Sequence, residues 1–106
     1  MTNRKINKAI AEHLGWKELD FHLDGKHILG DRPSFFNGKI VSYTVDQYVP
    51  DYCNDLNAMH EAEKVLTTAQ TTTMSQYLHR RLGMLWGFAT ASQRAEAFVR
   101  TIGKWD

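Results

Sequence analysis

The densest group of side chains that could do chemistry lies between residues 51 and 63. It combines four carboxylates, a thiol and an imidazole, which are Asp51, Cys53, Asp55, His60, Glu61 and Glu63. Such groups bind metal ions and act as acids, bases and nucleophiles in hydrolysis. Within this group, Cys53, His60 and Glu63 are the candidate catalytic residues of a small metal-dependent or cysteine-dependent hydrolase.

The spacing of these residues fits known metal sites poorly. Metalloprotease helices carry two histidines four residues apart around a glutamate, and di-iron bundles repeat a glutamate followed three residues later by a histidine. Here His60 precedes Glu63 by three residues and has no second histidine beside it. We therefore expect neither a metal ion nor a cofactor, and interpret the segment as a capped helix with a solvated polar face.

Cys53 is the only cysteine, and its position allows two interpretations. The amides and dipole at a helix N-terminus stabilise a thiolate, which would make Cys53 a nucleophile. Alternatively, it is a buried free cysteine packed beside Tyr52, which is the commoner situation. A chain with one cysteine has no internal disulfide, so a reducing compartment such as the cytoplasm is expected.

The helices that must position this segment are predicted from periodicity and capping residues. Apolar residues at spacings of three and four predict a helix over Asn3–Leu14, which Gly15 ends in a left-handed conformation. Trp16 then folds back onto the apolar face. The helical pattern returns after Pro50, with Asn54 or Asp55 as the N-cap.

Two capping boxes predict two further helices. Thr67 with Gln70 opens one, and Thr90 with Gln93 opens the last. Between them, the apolar connector Met84–Trp86 is expected to form a loop or a brief edge strand.

Between Trp16 and Pro50 the helical period is replaced by hairpin signals. Asp24-Gly25 and Asn37-Gly38 can adopt the positive φ angles of two-residue turns. Pro33 is expected to interrupt the region, because proline cannot donate to a sheet ladder. Short strands are predicted near Glu18–Leu23, Lys26–Leu29 and Lys39–Val45.

These elements predict one α+β domain over residues 1–106, with an N-terminal helix, short antiparallel strands in hairpins, and then three helices. A chain of 106 residues holds one core, and 42% hydrophobic with 24% charged residues is a globular composition. No apolar run is long enough to span a bilayer, and no signal peptide opens the chain, so we expect no membrane partner.

The formal net charge of +1, from 13 basic and 12 acidic residues, provides no reason to expect a polyanionic partner. A DNA-associated regulator is therefore the weaker alternative, and binding of nucleic acid is not expected. A modest basic patch would form only if the last two helices pack side by side, bringing together His79, Arg80, Arg81, Arg94, Arg100 and Lys104.

Three blocks of the chain resemble the small phage and prophage proteins grouped as the phage ABA sandwich domain. They are INKAIAEHLGW near the start, PDYCNDLNAMHEAEKVL in the middle and ATASQRAEAFVRTIGKW at the end. The resemblance implies a small layered α/β/α arrangement, a bacteriophage or prophage origin, and residence in the bacterial host cytoplasm. It implies no catalytic residue, cofactor or substrate.

The resulting function hypothesis is a non-enzymatic phage or prophage accessory protein that binds a host or phage protein, in the manner of host-takeover or counter-defence factors. Exposed aromatic side chains between the first and second helices would supply the binding surface or a self-association face. These candidate binding residues are Phe35, Phe36, Tyr43 and Tyr48. The alternative is that these aromatics simply cover the core.

Overall fold

The computed structural model of the chain describes residues 1–84 and 86–105, with only the backbone described at Trp86. Within these ranges the chain forms four α-helices and one antiparallel sheet of three strands, which confirms the predicted α+β class. The elements in chain order are α1 (Asn3–His13), β1 (Lys17–Phe21), β2 (Ile28–Phe36), β3 (Lys39–Tyr48), α2 (Leu56–Glu63), α3 (Thr68–Leu82) and α4 (Ala91–Thr101).

Local capping chemistry starts the later helices where the sequence predicts. Of the two candidate N-caps for α2, the structure uses Asp55, whose carboxylate accepts from the Ala58 amide. Both predicted capping boxes are present, with Thr67 opening α3 and Thr90 opening α4. Each box satisfies amides that have no partner within the helix.

The predicted glycine stop ends α1, one residue before the predicted boundary. Gly15 has φ +96°, its amide donates to the Glu12 carbonyl, and the Trp16 amide donates to the Ala11 carbonyl. This is the Schellman arrangement, and it turns the Trp16 side chain into the core, where only 7% of it is exposed.

The connector after α3 is only partly described. Gly83 ends α3 in the left-handed conformation, and a 3-10 helix covers Trp86–Phe88. Leu85, in the middle of the segment for which the sequence predicts a loop or an edge strand, lies outside the described residues.

The sheet has β2 at its centre, and β2 and β3 are longer than the sequence predicts. The Asn37-Gly38 turn is confirmed, with φ values of 53° and 76° joining β2 to β3. The predicted interruption at Pro33 is wrong, because Pro33 lies within β2 and pairs with Tyr43. Since β1 pairs with β2 no further than Asp31, the missing N–H of Pro33 leaves no ladder bond broken on that side.

Beyond Asp31, β2 and β3 therefore continue as a two-stranded hairpin. This hairpin leans over the end of α1: a Cβ added to Gly15 would lie 2.9 Å from Ile40 Cδ1 and 3.9 Å from Phe35 Cζ. The approach of the hairpin to α1 thus depends on a residue without a side chain.

The hydrophobic core is built mainly from the helices. Helix α4 packs against α1, α2 and α3, and the sheet joins the helices through α1 and β1. The largest fully buried side chains in the described ranges are Ile10, Cys53, Met59, Met74, Leu78, Phe98 and Val99. None of the described helices combines the length and apolarity needed to cross a membrane.

Replacing Gly15 and Gly83 separately by alanine tests the contact between hairpin and α1. Both glycines have positive φ, but a Cβ at Gly83 meets nothing within 4 Å, whereas one at Gly15 meets Ile40. Gly83→Ala should lower the free energy of unfolding by about 1–2 kcal/mol, the cost of the left-handed conformation. Gly15→Ala should lower the free energy of unfolding by more than Gly83→Ala, because its Cβ also meets Ile40. Urea unfolding measures both losses. Equal losses of unfolding free energy in the two variants would show that the Ile40 side chain can move away from the new Cβ at no free-energy cost.

Candidate interaction surface

Cys53 is a buried structural residue in this fold. Its side chain is 2% exposed, its amide donates to Asn7 Oδ1 at 3.2 Å, and its thiol lies 3.8 Å from the Asn3 carbonyl oxygen. Burial, with a further contribution from the Asp51 carboxylate, raises the pKa of the Cys53 thiol to about 11. At neutral pH the thiol is therefore protonated and packed against α1, as the second interpretation of this cysteine expects.

Glu63 points into the protein and forms an ion pair with Arg94 of α4. The Arg94 Nε and Nη2 groups donate to Glu63 Oε2 at 3.2 and 3.0 Å, and Nη2 lies 2.7 Å from Oε1. The two side chains are only 9% and 4% exposed, so the pair is shielded from water. This interaction ties the last turn of α2 to α4.

His60 is exposed on α2, so the three candidate catalytic residues do not share a site. Cys53 bonds to α1 and Glu63 to α4, while His60 faces solvent. In the ranges that the structure describes, no three histidine, cysteine or acidic side chains lie close enough together to hold a metal ion.

The basic patch is also divided by the fold. Arg94 is buried against Glu63, and Arg100 Nε lies 3.5 Å from Glu96 Oε2 while its guanidinium lies over the Trp105 ring at 4.1 Å. Helices α3 and α4 do pack side by side, and Arg100 stays 38% exposed beside Tyr77 of α3, so the patch loses Arg94 to burial and keeps Arg100 with its charge partly offset by Glu96.

The four candidate aromatic residues lie on or beside the hairpin. Phe35, Phe36 and Tyr48 are 55%, 68% and 59% exposed. Tyr43 is half-buried, with the Lys17 ammonium 5.0 Å from its ring centroid. Most of this aromatic surface therefore faces solvent and does not cover the core.

Three aliphatic residues that the sequence reasoning missed extend this surface. Ile40, Val41 and Val45 on β3 are also exposed. A signal for them was present, since β3 carries apolar residues at both odd and even positions, and a two-stranded hairpin cannot bury both faces. The hairpin surface, as we call it, consists of Phe35, Phe36, Ile40, Val41, Val45 and Tyr48.

The apolar area of the hairpin surface can be estimated from the exposure of its six side chains. At about 200 Å² for a whole aromatic side chain and about 120 Å² for an aliphatic one, it exposes roughly 500–600 Å² of apolar area. The largest apolar patch on a typical monomer is roughly 300–600 Å² and is often functional. Because the neighbours Phe35 and Phe36 point to opposite faces, this area is divided between two faces, and each face alone lies at or below the lower end of that range.

A groove runs between the hairpin and α2. Its volume is about 550 Å³, and Phe35 belongs both to it and to the hairpin surface. Its apolar lining is formed by Leu14, Trp16, Pro33, Phe35, Pro50, Tyr52, Ala58, Ala62 and Val65. Its polar lining is formed by Arg32, Asp55, Asn57, Glu61 and Lys64. Apolar walls with a few polar groups at the rim are typical of surfaces that bind another molecule.

Comparisons with family models, with curated proteins and with solved structures find no match to this chain. The resemblance to phage ABA sandwich proteins, and with it the phage origin, therefore stays a prediction. The candidate surface is defined by its own geometry.

Replacing one partner of the buried Glu63–Arg94 ion pair should destabilise the fold more than replacing both partners by apolar residues. Glu63→Gln leaves Arg94 charged and buried, and should lower the free energy of unfolding by about 3–5 kcal/mol. The double variant Glu63→Met with Arg94→Met should recover most of this loss, since neither buried charge remains. The free energies of unfolding of both variants are measured by urea unfolding, with tryptophan fluorescence as the signal. A loss below about 1 kcal/mol for Glu63→Gln would contradict a structural role for the pair.

The Cys53 thiol should be almost unreactive in the native protein. At pH 8 a thiol-specific reagent should label it roughly 100-fold more slowly than in the urea-unfolded chain, because burial and the raised pKa both suppress the thiolate. The native rate should rise as the pH approaches 11, since the thiolate fraction rises with it. A native rate close to that of the unfolded chain would restore Cys53 as a candidate nucleophile.

Proposed function

We propose that the protein is a non-enzymatic interaction module that binds another protein through the hairpin surface and the adjoining groove. The observation that carries this proposal is the concentration of six exposed apolar side chains along β2 and β3, five of them from Phe35 to Val45 and the sixth, Tyr48, at the base of the sheet. Exposing them to water is unfavourable by about 25 cal/mol per Å² of apolar area, so burial against a partner supplies a driving force. Aromatic residues at the centre of a contact commonly dominate its energy.

The partner contacts the hairpin through side chains and leaves the free edge of β3 unused. The pairing of β2 with β3 contains two bulges, and Asp46 in β3 has φ +54°. In addition, the Gln47 side-chain amide donates to the Val45 carbonyl at 3.1 Å. Bulges and occupied backbone groups disfavour the addition of another strand. Docking on the faces of the hairpin is therefore favoured.

The biological setting follows from the resemblance to phage ABA sandwich proteins. In that setting the module is a phage or prophage accessory protein that acts in the bacterial host cytoplasm on a host or phage protein. The separation of Cys53, His60 and Glu63 supports a binding role over hydrolysis, because Cys53 is bonded to α1, Glu63 is paired with Arg94 of α4, and His60 is exposed.

Affinity capture with matched variants tests the proposal. The tagged protein is incubated with bacterial lysate, and the retained proteins are identified by mass spectrometry. Phe36→Ser with Val41→Thr removes two exposed apolar groups from the hairpin and should reduce capture of the specific partner about 30-fold, the effect of losing one hot-spot residue. Both positions are exposed, so the fold should be unaffected.

Phe88→Ser is the control for nonspecific loss of an exposed phenylalanine. Phe88 is 75% exposed but follows α3 in the chain, outside the hairpin and the groove. It should retain the same proteins as the wild type. Equal capture by the hairpin variant and the wild type would refute a binding role for the hairpin surface.

A further inference from the structure

The tip of the hairpin carries the only Asn-Gly pair in the sequence. Phe36 pairs with Lys39, so Asn37 and Gly38 form a two-residue turn, with φ values of 53° and 76°. Positive φ at both central residues is the mark of a type I′ turn. Both residues are exposed, and a Cβ placed on Gly38 would meet nothing within 4 Å. The backbone of this turn is therefore accessible to water and hydroxide.

An Asn-Gly pair can lose ammonia without an enzyme. Hydroxide removes the proton of the Gly38 amide, and its nitrogen attacks Cγ of Asn37. The N–Cγ bond forms, the Cγ–Nδ2 bond breaks, and Nδ2 leaves as ammonia after taking a proton from water. Water then opens the resulting five-membered succinimide, at Cγ to give aspartate or at the backbone carbonyl to give isoaspartate. Glycine favours the attack because no Cβ hinders the approach of its nitrogen.

The other asparagines lack these conditions. Asn57 is exposed like Asn37, but it lies in α2, and the amide of Ala58 that follows it donates to Asp55 Oδ1 at 3.1 Å. That nitrogen cannot turn toward the Asn57 side chain without giving up the cap of the helix. The remaining three asparagines are also followed by residues that have a Cβ. Asn57 thus serves as an internal control for exposure alone.

The folded turn holds the reacting atoms of Asn37 and Gly38 apart. In the left-handed region the ψ angle of Asn37 is roughly +30 to +60°, which turns the Gly38 nitrogen nearly opposite to Cβ about the Cα–C bond. The succinimide ring needs that nitrogen on the same side as Cβ, so the turn must open first. Opening requires little free energy, because the hairpin is two-stranded beyond Asp31 and such hairpins are only marginally stable.

We propose that Asn37 is a site of spontaneous deamidation, and that opening of the hairpin turn sets the rate of the reaction. The aspartate product keeps the turn, since Asp-Gly also forms type I′ turns. Isoaspartate adds a methylene to the main chain, so the turn no longer joins Phe36 to Lys39 in the same register. The isoaspartyl product therefore loosens the tip of the hairpin. The reaction needs no partner, so this inference is independent of the proposed function.

Peptide mass mapping of the full chain at pH 8 and 37 °C tests the inference. The native protein should accumulate aspartate and isoaspartate at position 37, whereas Asn57 should remain unconverted. In guanidinium chloride the unfolded chain should convert Asn37 about tenfold faster, which corresponds to an opening free energy of about 1.4 kcal/mol.

Three outcomes of this experiment overturn the inference. Equal rates at Asn37 in the native and unfolded chains would show that the turn does not control the reaction. A native rate below about a hundredth of the unfolded rate would show that the folded protein is not a substrate, since opening would then require more than about 2.7 kcal/mol. Conversion of Asn57 as fast as Asn37 in the native protein would show that exposure alone selects the site.

Gly38→Ala tests the attack by the backbone nitrogen. In the unfolded chain there is no turn to disturb, so the added Cβ acts only on the approach of the nitrogen and should slow conversion of Asn37 at least about tenfold. The control Gly83→Ala also replaces an exposed glycine of positive φ, but it lies far along the chain and should leave the rate at Asn37 unchanged. An unchanged rate in Gly38→Ala would overturn the succinimide route.

Hydrogen exchange tests the effect of the product on the turn. The isoaspartyl fraction, separated from aged protein, is compared with Asn37→Asp, which has the added charge and the normal backbone. Amides at the tip of the hairpin should exchange at least about tenfold faster in the isoaspartyl fraction, because the turn that protects them is lost. Equal exchange in the two proteins would overturn the predicted loosening of the tip.

Discussion

Helix α4 supplies the surface on which the other three helices pack. Its Phe98 and Val99 side chains are fully buried, and α1, α2 and α3 each contact it. Arg94 on the same helix forms the buried ion pair with Glu63 of α2. A buried pair contributes little net stability but makes the loss of either partner costly, so it fixes the position of α2 relative to α4. Both the core and one wall of the groove depend on this arrangement.

The exposure of the hairpin follows from where the core is built. The four helices bury one another, and the sheet reaches them through α1, β1 and a few residues at its base, among them Trp16 and Ile28. Beyond the last pair with β1, the hairpin leans on the end of α1, and the groove separates it from α2. Apolar side chains on both faces therefore remain exposed, and a binding partner is the physical explanation we favour for retaining them.

The segment from Asp51 to Glu63 has a structural role that its composition conceals. Asp51 accepts from the Asn7 and Asn54 side chains, and Asn7 in turn accepts from the Cys53 amide. These bonds connect the approach to α2 with α1. Side chains that are chemically suited to catalysis thus join elements far apart in the chain, because buried polar groups must be paired wherever they lie.

Features that depend on a few neighbouring residues could be predicted from the sequence: the Asp55 cap, the two capping boxes, the Gly15 stop and the Asn37-Gly38 turn. Of the candidate surface, the aromatic residues were predicted and the aliphatic ones were missed. The tertiary structure decided that Glu63 meets Arg94, 31 positions away, and that Pro33 continues a strand. Capping and turn formation depend on local backbone geometry. Pairing and exposure depend on which distant elements meet, and that is settled only when the whole chain packs.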